Sequence, residues 1–124
     1  MYADEVGPHI FSSFVTLTKH WNHGLIANLP MPTPLIVGVS CLAIVGIILL
    51  WRREARKQNF SALLALACVL AGAAGNLWDR LAWGAVFDWL LLGGRSVINL
   101  ADAAIFIGTL WYIAQEQKNR KKNI

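Results

Sequence analysis

Residues 34–51 read PLIVGVSCLAIVGIILLW, an apolar run without a single charged side chain. Thr33 is a suitable N-cap, and the proline that follows it fits the first turn of a helix. At about 1.5 Å per residue the run rises roughly 27 Å, close to the ~30 Å hydrocarbon core of a bilayer. This stretch therefore predicts a transmembrane helix.

Two further segments resemble the first in composition. Residues 61–78 read SALLALACVLAGAAGNLW, and Ala67, Ala71 and Gly75 recur in them at four-residue spacing. Small residues spaced in this way allow a neighbouring helix to approach closely. Residues 99–114 form a shorter third apolar segment. The sequence thus predicts an all-α membrane protein with three transmembrane helices.

The composition agrees with a single membrane domain over residues 1–124. The chain is 56% hydrophobic and 15% charged, with a mean hydropathy of +0.50, whereas soluble domains carry about 25% charged residues. Its net charge of +4 does not indicate nucleic acid, because the basic residues flank the apolar runs. Cys41 and Cys68 both lie inside these runs, which favours apolar filler over a disulfide or metal ligands.

Basic residues mark the expected orientation. Loops rich in Lys and Arg stay cytoplasmic, which assigns the 52–60 loop and the 115–124 tail to the cytoplasm. Residues 1–33 and 79–98 are then extracytoplasmic. Eight of the eleven basic residues lie in the two cytoplasmic segments: Arg52, Arg53, Arg56, Lys57, Lys118, Arg120, Lys121 and Lys122.

The first extracytoplasmic segment contains a short β pattern. Residues 15–22 read VTLTKHWN and alternate apolar with polar side chains before Gly24. This pattern predicts a strand and a turn at the membrane surface. His20 and His23 could supply two metal ligands, but no third ligand follows at a helpful spacing, so no metal site is predicted.

Three acidic residues lie in otherwise apolar sequence on the extracytoplasmic side: Asp79, Asp88 and Asp102. A charge at membrane depth costs at least ~2.5 kcal/mol unless it is paired. Arg80 is adjacent to Asp79, and Asp102 follows Asn99 at capping-box spacing. Asp88 alone has neither a basic neighbour nor a helix end to explain it.

Two carboxyls in an apolar pocket share a proton, so that one can activate water while the other polarises a carbonyl. Asp88 and Asp102 are candidates for such a pair. The alternative is a non-catalytic helical membrane protein whose Asp residues cap helices or line a proton or ion path. A catalytic pair requires the two carboxyls to lie together, whereas capping requires Asp102 to turn back toward Asn99.

Three motifs resemble the C-terminal signature of the lipoprotein signal peptidases (signal peptidase II). They are GNLWDR at 75–80, GAVFDW at 84–89 and NLADAAI at 99–105. Upstream, the residues NHG at 22–24 are similar to that family's Asn-x-Gly turn. The resemblance covers roughly residues 14–114.

This resemblance implies an intramembrane aspartyl endopeptidase that removes the signal peptide of a diacylglyceryl-modified bacterial prolipoprotein. The catalytic pair falls on Asp88 and Asp102. Asp79 matches a supporting polar position. The positions that match residues holding the substrate or ordering the site are Asn22, Asn76, Arg80 and Asn99.

The resemblance further implies a multi-pass protein of the bacterial cytoplasmic (inner) membrane with its active site toward the periplasm. It implies no cofactor and no metal, prolipoprotein signal peptides and membrane lipids as partners, and a monomeric state. The family has four transmembrane helices, and the three segments found here correspond to the last three. A 124-residue form without the first helix is therefore expected to be poorly inserted or inactive.

Overall fold

Three long helices and a four-stranded antiparallel sheet form the described part of the chain in a computed structural model, which covers residues 9–12, 15–22, 31–92 and 96–123. The sheet order is β1-β2-β3-β4. The expectation of a mainly helical protein with a small β element is thereby confirmed. In chain order the elements are β1 (His9–Ser12), β2 (Val15–Asn22), α1 (Thr33–Arg56), α2 (Phe60–Trp83), β3 (Val86–Leu92), β4 (Ser96–Ile98) and α3 (Leu100–Lys122).

All three helices extend beyond the predicted spans. Helix α1 ends at Arg56 rather than Trp51, α2 continues to Trp83, and α3 continues to Lys122. The predicted 52–60 loop is reduced to residues 57–59. Bilayer thickness limits the apolar run but not the helix, because Arg, Lys and Glu are good helix formers outside the hydrocarbon core.

A buried carboxylate joins the helices at the α1–α2 turn. Glu54 is fully buried, and its oxygens accept hydrogen bonds from Arg53 Nε and Asn59 Nδ2, each at 3.2 Å. Arg53 also contacts Glu116 on α3 through Nη2 at 3.2 Å. Asn59 caps α2 by accepting the Ala62 N–H. This polar cluster ties the three helices together at one end of the bundle.

Helix α2 is the central helix, because α1 and α3 both pack against it. Its buried line contains Ala65, Val69, Gly72 and Asn76, which is displaced by about one position from the predicted stripe. Ala71 is exposed. The small residues therefore identified α2 as a closely packed helix, but they did not identify which face of α2 is buried. Alanine is equally compatible with a surface that faces lipid.

Two glycines set the separation of α2 and α3. A Cβ atom on Gly108 would lie 2.7 Å from the carbonyl oxygen of Ala65 and 2.8 Å from Val69 Cγ2. A Cβ atom on Gly72 would overlap the carbonyl oxygen of Ala101. Backbone therefore packs against backbone at both positions, which is the contact that small residues allow between membrane helices.

Gly84 ends α2 and directs the chain into the sheet. It has a φ of 76°, in the left-handed region that glycine adopts without steric cost. Its N–H donates to the Arg80 carbonyl oxygen at 2.9 Å. The chain then enters β3 two residues later, which places that strand beside the last turns of α2.

The strand predicted at Val15–Asn22 is confirmed as β2, whereas the turn expected at Gly24 lies outside the described residues. β3 and β4 form within the 79–98 segment, for which no strand was predicted. β3 lies between β2 and β4, and its sequence VFDWLLL is almost continuously apolar. Periodicity alone does not identify such a short apolar run as a strand.

Among the described residues, α1 and α2 are long and apolar enough to cross a bilayer. Helix α1 exposes a row of large apolar side chains: Leu35, Val39, Leu42, Val45, Ile48 and Leu49. Such a continuous exposed apolar surface is typical of a lipid contact. Helix α3 is long enough as a whole, but its apolar part covers only residues 100–114.

Substituting alanine at the two close-packed glycines tests this account of α2 and α3. Gly72→Ala and Gly108→Ala should each lower stability by about 1–3 kcal/mol, because the helices must separate or shift. Gly46→Ala is the matched control, since its Cβ would meet nothing within 4 Å. Thermal unfolding in detergent measures the effect, and equal melting temperatures for all three variants would contradict the packing.

Candidate active site

The last turns of α2, the middle of β3 and the first turn of α3 bring four polar residues together. Asn76 comes from α2, Asp88 from β3, and Asn99 and Asp102 from the start of α3. Asn76, Asp88 and Asn99 are all buried. Buried polar groups are stable only when they bond to one another, and most of these do.

Asn99 caps α3 in a reciprocal arrangement with Asp102. The Asn99 Oδ1 atom accepts the backbone N–H of Asp102 at 2.8 Å, and Asp102 Oδ2 accepts the backbone N–H of Asn99 at 3.2 Å. This is the capping box that the spacing predicts. The carboxyl of Asp102 is therefore fixed at the helix N-terminus.

The side-chain amide of Asn99 also joins α3 to the other two elements. Its Nδ2 donates to Asp88 Oδ1 and to Asn76 Oδ1, each at 3.1 Å. A contact to the Phe87 carbonyl oxygen is longer, at 3.5 Å. An amide nitrogen carries two hydrogens, so the two shorter bonds use its full donor capacity.

Asn76 completes the connection between α2 and α3. Its Nδ2 donates to Asp102 Oδ1 at 2.9 Å, so both oxygens of Asp102 accept an N–H donor. Arg80, one turn further along α2, donates from Nη1 to the Asn76 carbonyl oxygen at 3.5 Å. Asp102 is consequently held from two elements at once.

Asp88 has a different environment. It is 1% exposed, and its Oδ2 is buried without a well-formed hydrogen bond among the described residues. Burial, followed by the negative charge of Asp102, raises the pKa of Asp88 to about 6. The Asn22 side chain and the Arg80 cation oppose this rise, and Asp79 adds to it.

The structure brings Asp88, Asp102, Asn76 and Asn99 together as one hydrogen-bonded group. Asn22 is buried at the end of β2, beside the group. Asp102 turns back to Asn99, as capping requires, and the side-chain amide of the same asparagine donates to Asp88. Asp79 and Arg80 act on Asp88 through their charges.

Sequence reasoning missed the backbone part of the site. The Phe87 carbonyl oxygen lies 3.5 Å from Asn99 Nδ2 because of its position on β3, a strand that was not predicted. His23 lies outside the described residues, and within the described ranges no three His, Cys, Asp or Glu side chains group as metal ligands. Cys41 and Cys68 are both free thiols.

Comparison with known proteins places this geometry in a family. The family model for signal peptidase (SPase) II matches residues 2–117. A lipoprotein signal peptidase of Sinorhizobium fredii is 35% identical over 114 residues, which are 87% of this chain and 68% of the relative. One from Methylobacterium sp. is 37% identical over 110 residues, 82% of this chain and 65% of the relative. The chain thus spans about two thirds of the length of these relatives.

Solved structures share the fold. A bacterial membrane enzyme determined by the in meso method at 2.3 Å resolution superposes with a TM-score of 0.86 and 22% identity, over 97% of this chain and 75% of that one. A second, at 1.9 Å resolution, gives 0.76 and 22% over 91% and 77%. The family match covers nearly the whole chain and confirms the resemblance seen in its motifs. The chain belongs to the signal peptidase (SPase) II family.

Proposed function

We propose that Asp88 and Asp102 form the catalytic carboxyl pair with which this signal peptidase II family member removes signal peptides from diacylglyceryl-modified prolipoproteins. One observation carries the proposal. Asp88 is fully buried and keeps one oxygen without a well-formed hydrogen bond among the described residues, while Asn99 links its other oxygen to the segment that holds Asp102. A buried carboxyl that is bonded through one oxygen and retains acceptor capacity at the other suits acid–base chemistry.

The two carboxyls have different surroundings and so different roles. Asp102 accepts N–H donors at both oxygens, the pattern of an ionised carboxylate, and its remaining lone pairs can accept a water. Burial favours the protonated form of Asp88. In this mechanism Asp102 takes a proton from the attacking water, and Asp88 donates a hydrogen bond to the scissile carbonyl oxygen. Transfer of that proton from Asp102 to the leaving amine completes peptide cleavage.

The neighbouring polar residues would hold this pair in position. Asn99 and Asn76 fix the carboxyl oxygens through the bonds described above. Asn22 and Arg80 reduce the free-energy cost of ionising Asp88. Asp79, which precedes Arg80 on α2, has the opposite effect through its negative charge. One chain supplies every member of the group, so a single copy of the protein is sufficient for the site.

The membrane arrangement is part of the same proposal. α1 and α2 cross the inner membrane, and the apolar first part of α3 makes the third crossing. The α1–α2 turn and the end of α3 carry the excess of basic residues, so these ends face the cytoplasm. The carboxyl pair lies at the other end of α2 and α3 and therefore faces the extracytoplasmic side.

A non-catalytic role has one observation in its favour, the capping box at Asn99 and Asp102. Capping explains Asp102 without any chemistry. It does not explain Asp88, which lies on a strand and is buried, and which accepts from the Asn99 side chain rather than capping a backbone N–H of α3. The burial of Asp88 therefore favours the catalytic function.

Substituting the carboxyls separates these alternatives. Asp88→Asn and Asp102→Asn should each reduce cleavage of a diacylglyceryl prolipoprotein by at least about 10³-fold, while the protein still inserts in membranes. The double variant should be no worse than either single one, because the two groups act as one unit. A gel-shift assay on a reconstituted, active form measures cleavage.

Asp79→Asn is the matched control for these variants. It removes a carboxyl from the same region, and we expect a milder loss because Asp79 acts on Asp88 only through its charge. Rapid turnover by either Asp88→Asn or Asp102→Asn would return the protein to the non-catalytic class.

The raised pKa of Asp88 has a consequence for stability. The folded protein favours the protonated carboxyl, so this contribution is complete below pH 3.8 and is lost as the pH rises to about 6. Relative to wild type, Asp88→Asn should gain on the order of 3 kcal/mol between pH 4 and pH 7 and little above that. Thermal unfolding in detergent across this range measures the difference, and a pH-independent difference would contradict the raised pKa.

Reporter fusions test the orientation. Fusions at Gln58 and after Lys122 should report a cytoplasmic location, and one after Leu92 should report an extracytoplasmic location, because the basic ends of the helices are retained inside. The reverse pattern would place the carboxyl pair on the cytoplasmic side and contradict the proposal.

A further inference from the structure

The end of the helix bundle at the α1–α2 turn carries an excess of positive charge. Residues 52–60 and 115–124 contain eight basic side chains and two acidic ones, Glu54 and Glu116. Both carboxylates have a cationic partner within the protein. Glu54 is fully buried and accepts from Arg53 Nε, and Glu116 contacts Arg53 Nη2 at 3.2 Å. These segments contain no further acidic side chain that could balance the other cations.

Most of the basic side chains at this end have no internal partner. Arg53 contacts both carboxylates, and Lys57 Nζ lies 3.7 Å from Glu54 Oε1. The other six are exposed, and none of them forms an ion pair with another described residue: Arg52, Arg56, Lys118, Arg120, Lys121 and Lys122. Their charges can therefore bind an anion outside the protein.

The contact between Arg53 and Glu116 brings the cations of two helices together. Arg53 lies between Arg52 and Arg56 near the end of α1, and Glu116 lies two residues before Lys118 on α3. Because the Arg53 and Glu116 side chains meet at 3.2 Å, the end of α1 lies beside α3 at this level. The exposed cations of the two helices therefore occupy adjoining surfaces.

The depth of these cations follows from the lengths of the apolar runs. The runs of α1 and α3 end at Trp51 and Ala114. At about 1.5 Å per residue, Arg52 and Arg56 lie ~1.5 and ~7.5 Å beyond the first run, and Lys118 lies ~6 Å beyond the second. The polar layer on each side of a bilayer is about 5–8 Å thick. These three side chains therefore lie at the depth of the lipid headgroups.

The last cations of α3 extend further from the membrane. Residues 120–122 lie ~9–12 Å beyond the apolar run of the same helix. The rule that retains basic segments in the cytoplasm counts all of these cations alike. Contact with a lipid phosphate depends instead on depth, because a guanidinium or ammonium group must come within hydrogen-bond distance of the phosphate oxygens.

We propose that Arg52, Arg56 and Lys118 form a basic surface that binds the phosphate groups of anionic phospholipids in the membrane leaflet at the α1–α2 turn. Anionic lipids are favoured over phosphatidylcholine, because the choline headgroup adds an ammonium cation that these side chains repel. The basic surface lies at the opposite end of α2 and α3 from Asp88 and Asp102, so this binding is independent of the proposed catalytic function.

Electron spin resonance of the full chain in phosphatidylcholine nanodiscs tests the proposal. Spin-labelled phosphatidylglycerol and spin-labelled phosphatidylcholine are compared by the fraction of each that is immobilised on the protein. Wild type should bind the anionic lipid about fivefold more strongly, the contribution of one cation near an anionic surface. The triple variant Arg52→Gln, Arg56→Gln and Lys118→Gln should bind the two lipids about equally.

The triple variant Arg120→Gln, Lys121→Gln and Lys122→Gln is the matched control, because it removes the same charge outside the headgroup layer. It should lower the preference for the anionic lipid less than twofold. An equal loss in the two triple variants would overturn the proposal, since net charge alone would then explain the effect. Equal binding of the two lipids by wild type would overturn it as well.

Substitutions that preserve charge show whether the loss reflects the cations or the fold. Arg52→Lys, Arg56→Lys and Lys118→Arg together should keep the preference of the wild type. If this variant loses the preference as fully as the glutamine variant, a surface defined by its charge is contradicted. All the substituted side chains are exposed, so the melting temperatures in detergent should remain close to that of the wild type.

Other phosphate-bearing ligands would use the same donors, and the nanodiscs distinguish them. Inorganic phosphate, added at constant ionic strength, should leave the lipid preference unchanged, and displacement of the anionic lipid would overturn the assignment to a lipid surface. A single-stranded RNA should not bind the wild type in phosphatidylcholine nanodiscs through this surface. RNA binding that is lost in the Arg52, Arg56 and Lys118 variant but not in the control would assign the surface to nucleic acid and overturn the proposal.

Discussion

The side-chain amide of Asn99 is the interaction on which the site depends. It caps α3 through its oxygen and binds Asp88 and Asn76 through its nitrogen. One residue thus fixes the start of a helix, a strand and a neighbouring helix relative to one another. An isosteric aspartate would remove the donor, and a serine would retain the cap but lose both links, so no other small side chain performs all three functions.

Close helix packing brings this amide within reach of its partners. Gly72 lies against the backbone of Ala101, which is in the first turn of α3 between Asn99 and Asp102. Asn76 is one turn further along α2, where it meets Asp102 at 2.9 Å. A side chain at position 72 would push away the first turn of α3 and lengthen these bonds. The backbone contact at Gly72 therefore determines the length of the hydrogen bonds between α2 and the start of α3.

Local features of this site could be predicted from sequence, and contacts between distant segments could not. The capping box follows from four consecutive residues, and β2 follows from an alternating pattern over eight that only Lys19 interrupts. Asp88 was identified because it lacks a local partner, but the identity of its partners depends on β3. That strand carries no alternating pattern, so its register with β2 and its contact with Asn99 emerge only from the folded chain. The lengths of the helices were underestimated, because hydropathy detects only the apolar part of a helix and not its polar continuation.

Capping and the proposed catalytic role are compatible at Asp102 because they use different capacities of one carboxylate. The cap and Asn76 each occupy one lone pair, which orients the group and leaves room for a water. Asp88 receives less compensation, and its burial consequently costs stability that the packing of α2 against α3 must offset. This asymmetry would give the proposed pair a preferred proton donor, since burial favours the protonated form of Asp88. In the proposed mechanism, the strand supplies the acid, whose burial costs stability, and the helix N-terminus supplies the base.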